Sequence, residues 1–381
     1  MAAAFVAVTA TLAALGPTGG APAPPGLERG AGEWPSFRGD PQLTGVARGD
    51  LSRLPDVLWT FQAGGGIEST PAVQGGAVYF GAMDGFLYSL SVESGALRWK
   101  YAAAGPIKSS PLVYGGTVYF GDETGAFHAV DARGGIRRWV FQTGSAVVSS
   151  ATQLGGRIIF GSNDNHLYGL SAADGSLAWK LETGGYVYSS PAVTDRFEAP
   201  AVVSAGCDGF LRVVRARDGA EIKKIELGAY VGASPALREG LAFVGTFENQ
   251  FLAVDLAAGK VIWRYEHPER KFPFYGSAAV AGRMVVVGGR DRFVHALDSG
   301  TGASIWTWTA GAKVDASPVI VKDRVIAATA GGDVVVLGLE SGEPLWKFET
   351  GSAIAGSPAL SAGRLFIGTG SGTLYAFGDK K

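Results

Sequence analysis

The residues able to do chemistry are few. Cys207 is the sole cysteine, and the histidines are His128, His166, His267 and His295. A lone thiol excludes an internal disulfide and any multi-cysteine metal site. His128 and His295 hold the same place in an internal repeat, His166 sits two positions earlier in its own unit, and His267 lies in a loop. None has metal-ligand spacing. Asp84, Asp164, Asp208 and Asp291 also recur at one repeat position, beside a turn. A catalytic carboxylate is expected once. Four copies point to turn chemistry, in which Asp bonds its own backbone. There is no Ca²⁺-loop run of alternating Asp and Asn, and no P-loop, nucleophile elbow or metalloprotease helix motif. No catalytic residue is therefore assigned and no metal is expected.

The elements that carry these residues follow from composition. The 381 residues hold 33 Lys plus Arg against 34 Asp plus Glu, a net charge of -1. That removes the basic excess of a nucleic-acid binder and of a polybasic membrane-surface protein. An apolar content of 47% supports a large core, and 58 glycines point to many tight turns between short strands. Residues 1–16 are apolar and uncharged, too short to span a bilayer, and followed by small residues and proline. We expect a signal peptide over 1–23, an extended segment over 24–56 and one domain over 57–378, in a periplasmic or secreted protein. No cysteine directly follows the apolar run, Cys207 being far downstream, so no lipid anchor is expected.

Periodicity decides the fold. Trp59, Trp99, Trp139, Trp179, Trp263, Trp306 and Trp346 recur at spacings of 40, 40, 40, 84, 43 and 40. The gap of 84 holds one more unit, with Lys223 at the tryptophan position. In residues 69–99, four runs rich in aromatic and β-branched residues are split by Gly75-Gly76, Asp84-Gly85 and Ser94-Gly95. This predicts a four-stranded antiparallel meander. Eight such units make an all-β, eight-bladed β-propeller. The last unit ends after three strands, while 58–61 reads as an outer strand with no blade before it. Pairing the two closes the ring and removes two open edges. The tryptophans are read as structural wedges between blades, each burial contributing ~4–6 kcal/mol as an upper estimate. Lys223 is expected to mark a weaker seam.

Ala129, Asp131, Gly135 and Trp139 follow the pattern A-x-D-x-x-x-G-x-x-x-W, as do Ala253 to Trp263 and Ala296 to Trp306. This resembles the tryptophan-docking repeat of pyrroloquinoline-quinone (PQQ) propellers. The opening Trp34-Pro35-Ser36-Phe37-Arg38-Gly39 is similar to segments that precede such propellers. The group includes PQQ-dependent alcohol and sugar dehydrogenases and the non-enzymatic BamB-like family, whose size this chain matches better. The resemblance implies a periplasmic, monomeric scaffold for a protein partner, such as an outer-membrane assembly component, with no cofactor. The alternatives are a PQQ- and Ca²⁺-dependent oxidoreductase and a small-ligand-binding propeller. The dehydrogenases place an adjacent cysteine pair against the quinone, which a single cysteine cannot supply.

A site is expected at the mouth of the axial channel. The residues entering the innermost strands are, by alignment, Glu68, Lys108, Val148, Tyr188, Gly232, Tyr275, Asp315 and Ala355. Their neighbours repeat in every unit, but this position differs each time. Glu68, Lys108, Tyr188, Tyr275 and Asp315 are the candidate ligand-binding residues, with Glu68 and Lys108 close enough to pair. A second candidate is the sixth unit's loop over 267–275, longer by three residues, where Arg270, Lys271, Phe272 and Phe274 combine cations with aromatics, as binding hot spots do. The fourth unit's insertion, 194–200, lies at the opposite end.

Overall fold

The computed structural model describes residues 32–52 and 55–380, so the expected signal over 1–23 lies outside the described residues. Among the described residues thirty-two strands, β1 to β32 in chain order, form eight four-stranded antiparallel sheets. Blade one shows the plan, with strand A over Ala72–Gln74, B over Ala77–Gly81, C over Phe86–Ser91 and D over Leu97–Ala102. Strand B is buried along its whole length, because each sheet is covered on both faces by its neighbours. Strand D alternates and forms the outer surface. The ring closes as the unpaired ends of the repeat require. β1 (Asp56–Gln62) pairs with β32 (Thr373–Gly378) as the outer strand of blade eight.

The repeat motif is explained by one seam. Each indole lies over the turn glycine of the next blade, not over that of its own. A Cβ on Gly95 would sit 2.6 Å from the Trp59 ring, and one on Gly219 2.7 Å from Trp179. The Trp59 Nε1 donates to the Val92 carbonyl at 3.0 Å, and Trp179 to Ala216 at 2.9 Å. The motif's Asp131 accepts the backbone N–H groups of Arg133 and Gly134 and so shapes the turn that carries Gly135. A bulge sets the angle of the ring: in every C–D pair the register slips next to the tryptophan position, as between Ser89 and Leu90. Bulges re-aim a side chain in this way. Five of the seven tryptophans are only partly buried, so each contributes less than full burial would give. Trp346 faces the seam where the chain ends meet and packs on Phe377 instead, with centroids 5.6 Å apart.

Residues 32–52 form a strap across the inner strands. Its backbone bonds in turn to Val73, Val113, Val193, Leu237, Val280 and Ile320, each the middle residue of a strand A. These bonds satisfy inner edges that would otherwise face the channel. Trp34 and Arg38 are fully buried there. The Arg38 Nη2 donates to the Ala278 carbonyl at 2.9 Å, while Nε and Nη1 have no partner among the described residues. Burial lowers its pKa to about 9. Gly45 makes room for it, since a Cβ there would overlap the guanidinium.

Candidate functional site

The channel mouth is built on a belt of hydroxyls. The backbone N–H of Thr70 donates to the Ser110 Oγ at 2.9 Å, that of Ser110 to Ser150 at 3.0 Å, and so on through Ser190, Ser234, Ser277 and Ser317 to Ser357. Seven links thus tie the entrances of all eight strands A. A second clamp fixes the rim. In each blade a B–C turn residue donates its N–H to the connector that enters the blade, from Met83 on Gly66 (2.8 Å) to Gly370 on Ala353 (2.7 Å).

The belt carries the eight expected mouth residues, and all eight line one axial cavity of about 180 Å³. Phe37 of the strap lines it too. The structure gathers the charged ones into two clusters. Lys108 reaches Glu68 at 4.0 Å but is held more closely by Glu123, at 2.7 Å. That hydrogen bond raises its pKa. Across the mouth, Asp315 accepts both Nε and Nη2 of Arg290 at 2.9 Å. The same guanidinium lies 3.6 Å over the Tyr275 ring, which packs on Phe247 at 4.8 Å. Tyr188 meets Tyr186 at 5.7 Å. Glu123, Phe247 and Arg290 are absent from the sequence expectation. Their signal is a second variable repeat position, in the B–C turn, running Met83, Glu123, Asn163, Cys207, Phe247, Arg290, Ala330 and Gly370.

In the sixth insertion, Arg270, Lys271 and Phe272 are exposed, and Lys271 lies 3.6 Å from Glu266. Phe274 does not join them. It is 1% exposed and packs on Phe251, Tyr265 and His295. The repeat explains why: Phe274 holds the position of Ile67, Ile107, Val147, Val187, Val231, Val314 and Ile354, all buried. It anchors the loop from below.

The aspartates do turn chemistry and one thing more. Asp84 accepts the Phe86 N–H (3.1 Å), the Gly64 N–H (2.9 Å) and the Tyr88 hydroxyl (2.6 Å), so it pins the B–C turn to the incoming connector. Asp164 repeats this with Tyr168, and Asp208 with Arg212. In blade two the carboxylate comes from Asp122, two positions earlier, which reaches the Ala104 N–H and His128. The strings Tyr101–His128–Asp122 and Tyr265–His295–Asp291 have the residue types of a proton relay. Both histidines are buried, at 3% and 0% exposure, so no substrate reaches them.

A quinone with calcium needs anion-binding cations, carboxylate ligands and a fitting cavity. Here Lys108 and Arg290 are already engaged by carboxylates. Among the described residues no group of three His, Cys, Asp or Glu is placed to hold a metal ion. Cys207 donates to the Val231 carbonyl, and burial, then Asp208, pushes its thiol up to about 11. The cavity is also below the ~300 Å³ usual for drug-sized ligands. The residues present do not fit that group. Among the described residues no helix is long and apolar enough to cross a membrane.

The fold and its seams define the class: an eight-bladed β-propeller of PQQ-like repeats. Within that class the chain belongs to the family described as outer membrane protein assembly factor BamB, which matches residues 53–208 and 207–381. BamB from Moraxella catarrhalis superposes with a TM-score of 0.72 at 19% identity, over 86% of this chain and 98% of that one. Quinohemoprotein alcohol dehydrogenase ADHIIG from Pseudomonas putida HK5 gives 0.79 at 13% identity, over 92% and 81%. At such identities these likenesses show the fold alone. Quinohemoprotein alcohol dehydrogenase ADH IIB from Pseudomonas putida is 32% identical over 116 residues, 27% of this chain and 17% of that protein. Quinoprotein alcohol dehydrogenase PedH from Pseudomonas putida is 29% identical over 113 residues, 27% of this chain and 19% of that protein. The chain thus spans less than a fifth of the curated relatives it matches.

Proposed function

We propose that the chain is a non-enzymatic interaction scaffold of the periplasm, which presents its channel-mouth rim to a protein partner of the outer-membrane assembly machinery. One observation carries this reading: the rim is lopsided. The connectors entering blades four, five and six expose Tyr186 (50%), Tyr230 (55%) and Phe272 (49%). At the position shared by Tyr186 and Tyr230, blades one, two, three and eight carry Gly66, Pro106, Ala146 and Ala353. Exposed aromatics on rigid loops, gathered on one side, have the composition of an interface core. The clamps hold these loops in place, so little ordering entropy is lost on binding.

The competing reading is a PQQ-dependent oxidoreductase, which the partial identity to the alcohol dehydrogenases favours. Calorimetric titration with PQQ, with and without Ca²⁺, separates the two. The scaffold reading expects no saturable heat. Saturable binding at micromolar concentration or tighter would overturn it. A photo-crosslinking amino acid at Tyr230 is expected to trap an envelope protein, while one at Ala146 traps none. Equal trapping at both positions would remove the argument from asymmetry.

A further inference from the structure

The insertion that lengthens the connector into blade six also builds a groove. Together with the B–C turn of blade six and the connector into blade seven, it encloses about 500 Å³. Arg270, Arg290, Arg292 and Lys313 line this groove, with Phe272 at its lip. Arg290 is neutralised by Asp315. Asp291, the one acid in the lining, is 2% exposed and lies 3.0 Å from His295. Arg270 stacks at 5.0 Å on Phe293 and donates to the Asp291 carbonyl at 3.3 Å, contacts that hold its fork without cancelling its charge. Arg292 and Lys313 have no carboxylate partner among the described residues. Three uncompensated cations therefore surround one exposed aromatic, on a chain whose net charge is -1.

We propose that this groove docks an acidic segment of a partner protein, whose carboxylates meet Arg270, Arg292 and Lys313 while an apolar side chain covers Phe272. The proposal rests on the scaffold reading and specifies the chemistry of its partner. Guanidinium forks bind carboxylates through paired hydrogen bonds, and a groove that excludes water strengthens them. Like charges held together steer an oppositely charged chain and reject basic ones. Three cations are too few to follow a nucleic-acid backbone, and the balanced overall charge supplies no others.

The test is fluorescence anisotropy on the full chain, with a labelled twelve-residue peptide of Asp, Glu and Phe. Its controls are the same peptide with Gln, or with Lys, in place of the acids, and an oligothymidine of equal length as competitor. The acidic peptide is expected to bind saturably and to weaken about tenfold or more at high salt. Arg292→Asn with Lys313→Ser, at unchanged Tm, is expected to weaken it by about tenfold. Arg292→Lys with Lys313→Arg is expected to retain binding. So is Lys100→Ser with Lys180→Ser on the outer strands, an equal loss of charge elsewhere. Equal binding of the Gln peptide, displacement by oligothymidine, or equal weakening by the outer-strand pair would overturn the proposal. A chain that crosslinks a partner at Tyr230 yet ignores the acidic peptide would overturn this inference alone. A chain that binds PQQ would overturn the scaffold reading itself.

Discussion

The ammonium of Lys223 donates to the carbonyl of Ala257, one residue beyond the position whose carbonyl the indole nitrogens take in neighbouring blades. Trp179 reaches Ala216 one seam earlier and Trp263 reaches Ser299 one seam later, at the position that Leu256 holds here. Lysine thus keeps a hydrogen bond to the next blade's turn and gives up the ring. A Cβ on the facing Gly259 would find its nearest neighbour, the Lys223 Nζ, 3.8 Å away. Phe197, from the four-residue insertion of blade four, comes within 6.0 Å of the ammonium and covers part of the gap.

Lys223→Trp is therefore expected to stabilise the ring by about 1 kcal/mol and to raise Tm by a few degrees. Lys223→Ala is expected to cost about 1 kcal/mol, because Ala257 loses its donor. Thermal unfolding monitored by circular dichroism checks both. A lower Tm for Lys223→Trp would show that the seam has adapted to lysine.

Gly219 and Gly259 have φ values of 72° and 67°, so alanine meets the same backbone strain at each. They differ in what lies above them, an indole too close for a Cβ over Gly219 and only the Lys223 side chain, at ordinary contact distance, over Gly259. Gly219→Ala is expected to cost about 2 kcal/mol more than Gly259→Ala. Chemical denaturation of the two variants measures the difference, and equal losses would show that the ring is not the reason for glycine.

Arg38 is a buried cation without an opposing carboxylate, a placement that costs stability. Arg38→Met is expected to leave Tm unchanged or higher. The pH dependence fixes the sign. The folded pKa, about 9, lies below the ordinary value of 12.5, so the unfolded chain binds more protons between them. Wild-type stability should then rise with pH above about 9 relative to Arg38→Met, and the gap in Tm between them should narrow. A large fall in Tm for Arg38→Met at pH 7 would show that the guanidinium is stabilising where it lies.

Asp208 faces Arg212 at 5–6% side-chain exposure. Burial pushes the Asp208 pKa up, but the Arg212 hydrogen bond and the Gly184 N–H bring it to a net value below 3.8. A depressed carboxylate pKa adds stability above the unfolded value, and that stability is lost as pH falls through the folded one. Asp208→Asn is expected to lose about 2 kcal/mol at pH 7, because the buried Arg212 keeps only Glu221, 3.0 Å from its Nε, as a carboxylate partner. Denaturant titrations from pH 7 to pH 3 should give a flatter acid limb for the variant than for the wild type.

What the sequence disclosed depends on repetition. Strand order, ring closure by β1 and the mouth positions are legible because eight units carry one text, so an aligned residue has an aligned place. Single-copy features escape that logic. The strap bonds partners far away in sequence, such as Ala278 for Arg38 at a separation of 240, and no second copy marks the register. Asp122 does the work of Asp84 from two positions earlier, which alignment hides. Phe274 reads as a loop aromatic by its neighbours and as core by its repeat position, and the repeat prevails. Glu123 and Arg290 were within reach, since the B–C turn position varies as freely as the mouth position does.

The strap and the closing strand also set an order of events. The Gly32 carbonyl accepts from Ser361 and Ala362, Asp50 meets Lys322 and Arg324, and β1 waits for β32. A chain that emerges amino end first can therefore form its early blades as local meanders, with Trp34 and Pro35 already on Val73 and Val113, while Gly32, Asp50 and β1 wait for their partners. Closing so long a loop adds little free energy beyond a short one. The delay is one of sequence in time: the first-made strand is an open edge until the last-made blade arrives. Folding of the ring is thus completed only after synthesis has delivered the last blade.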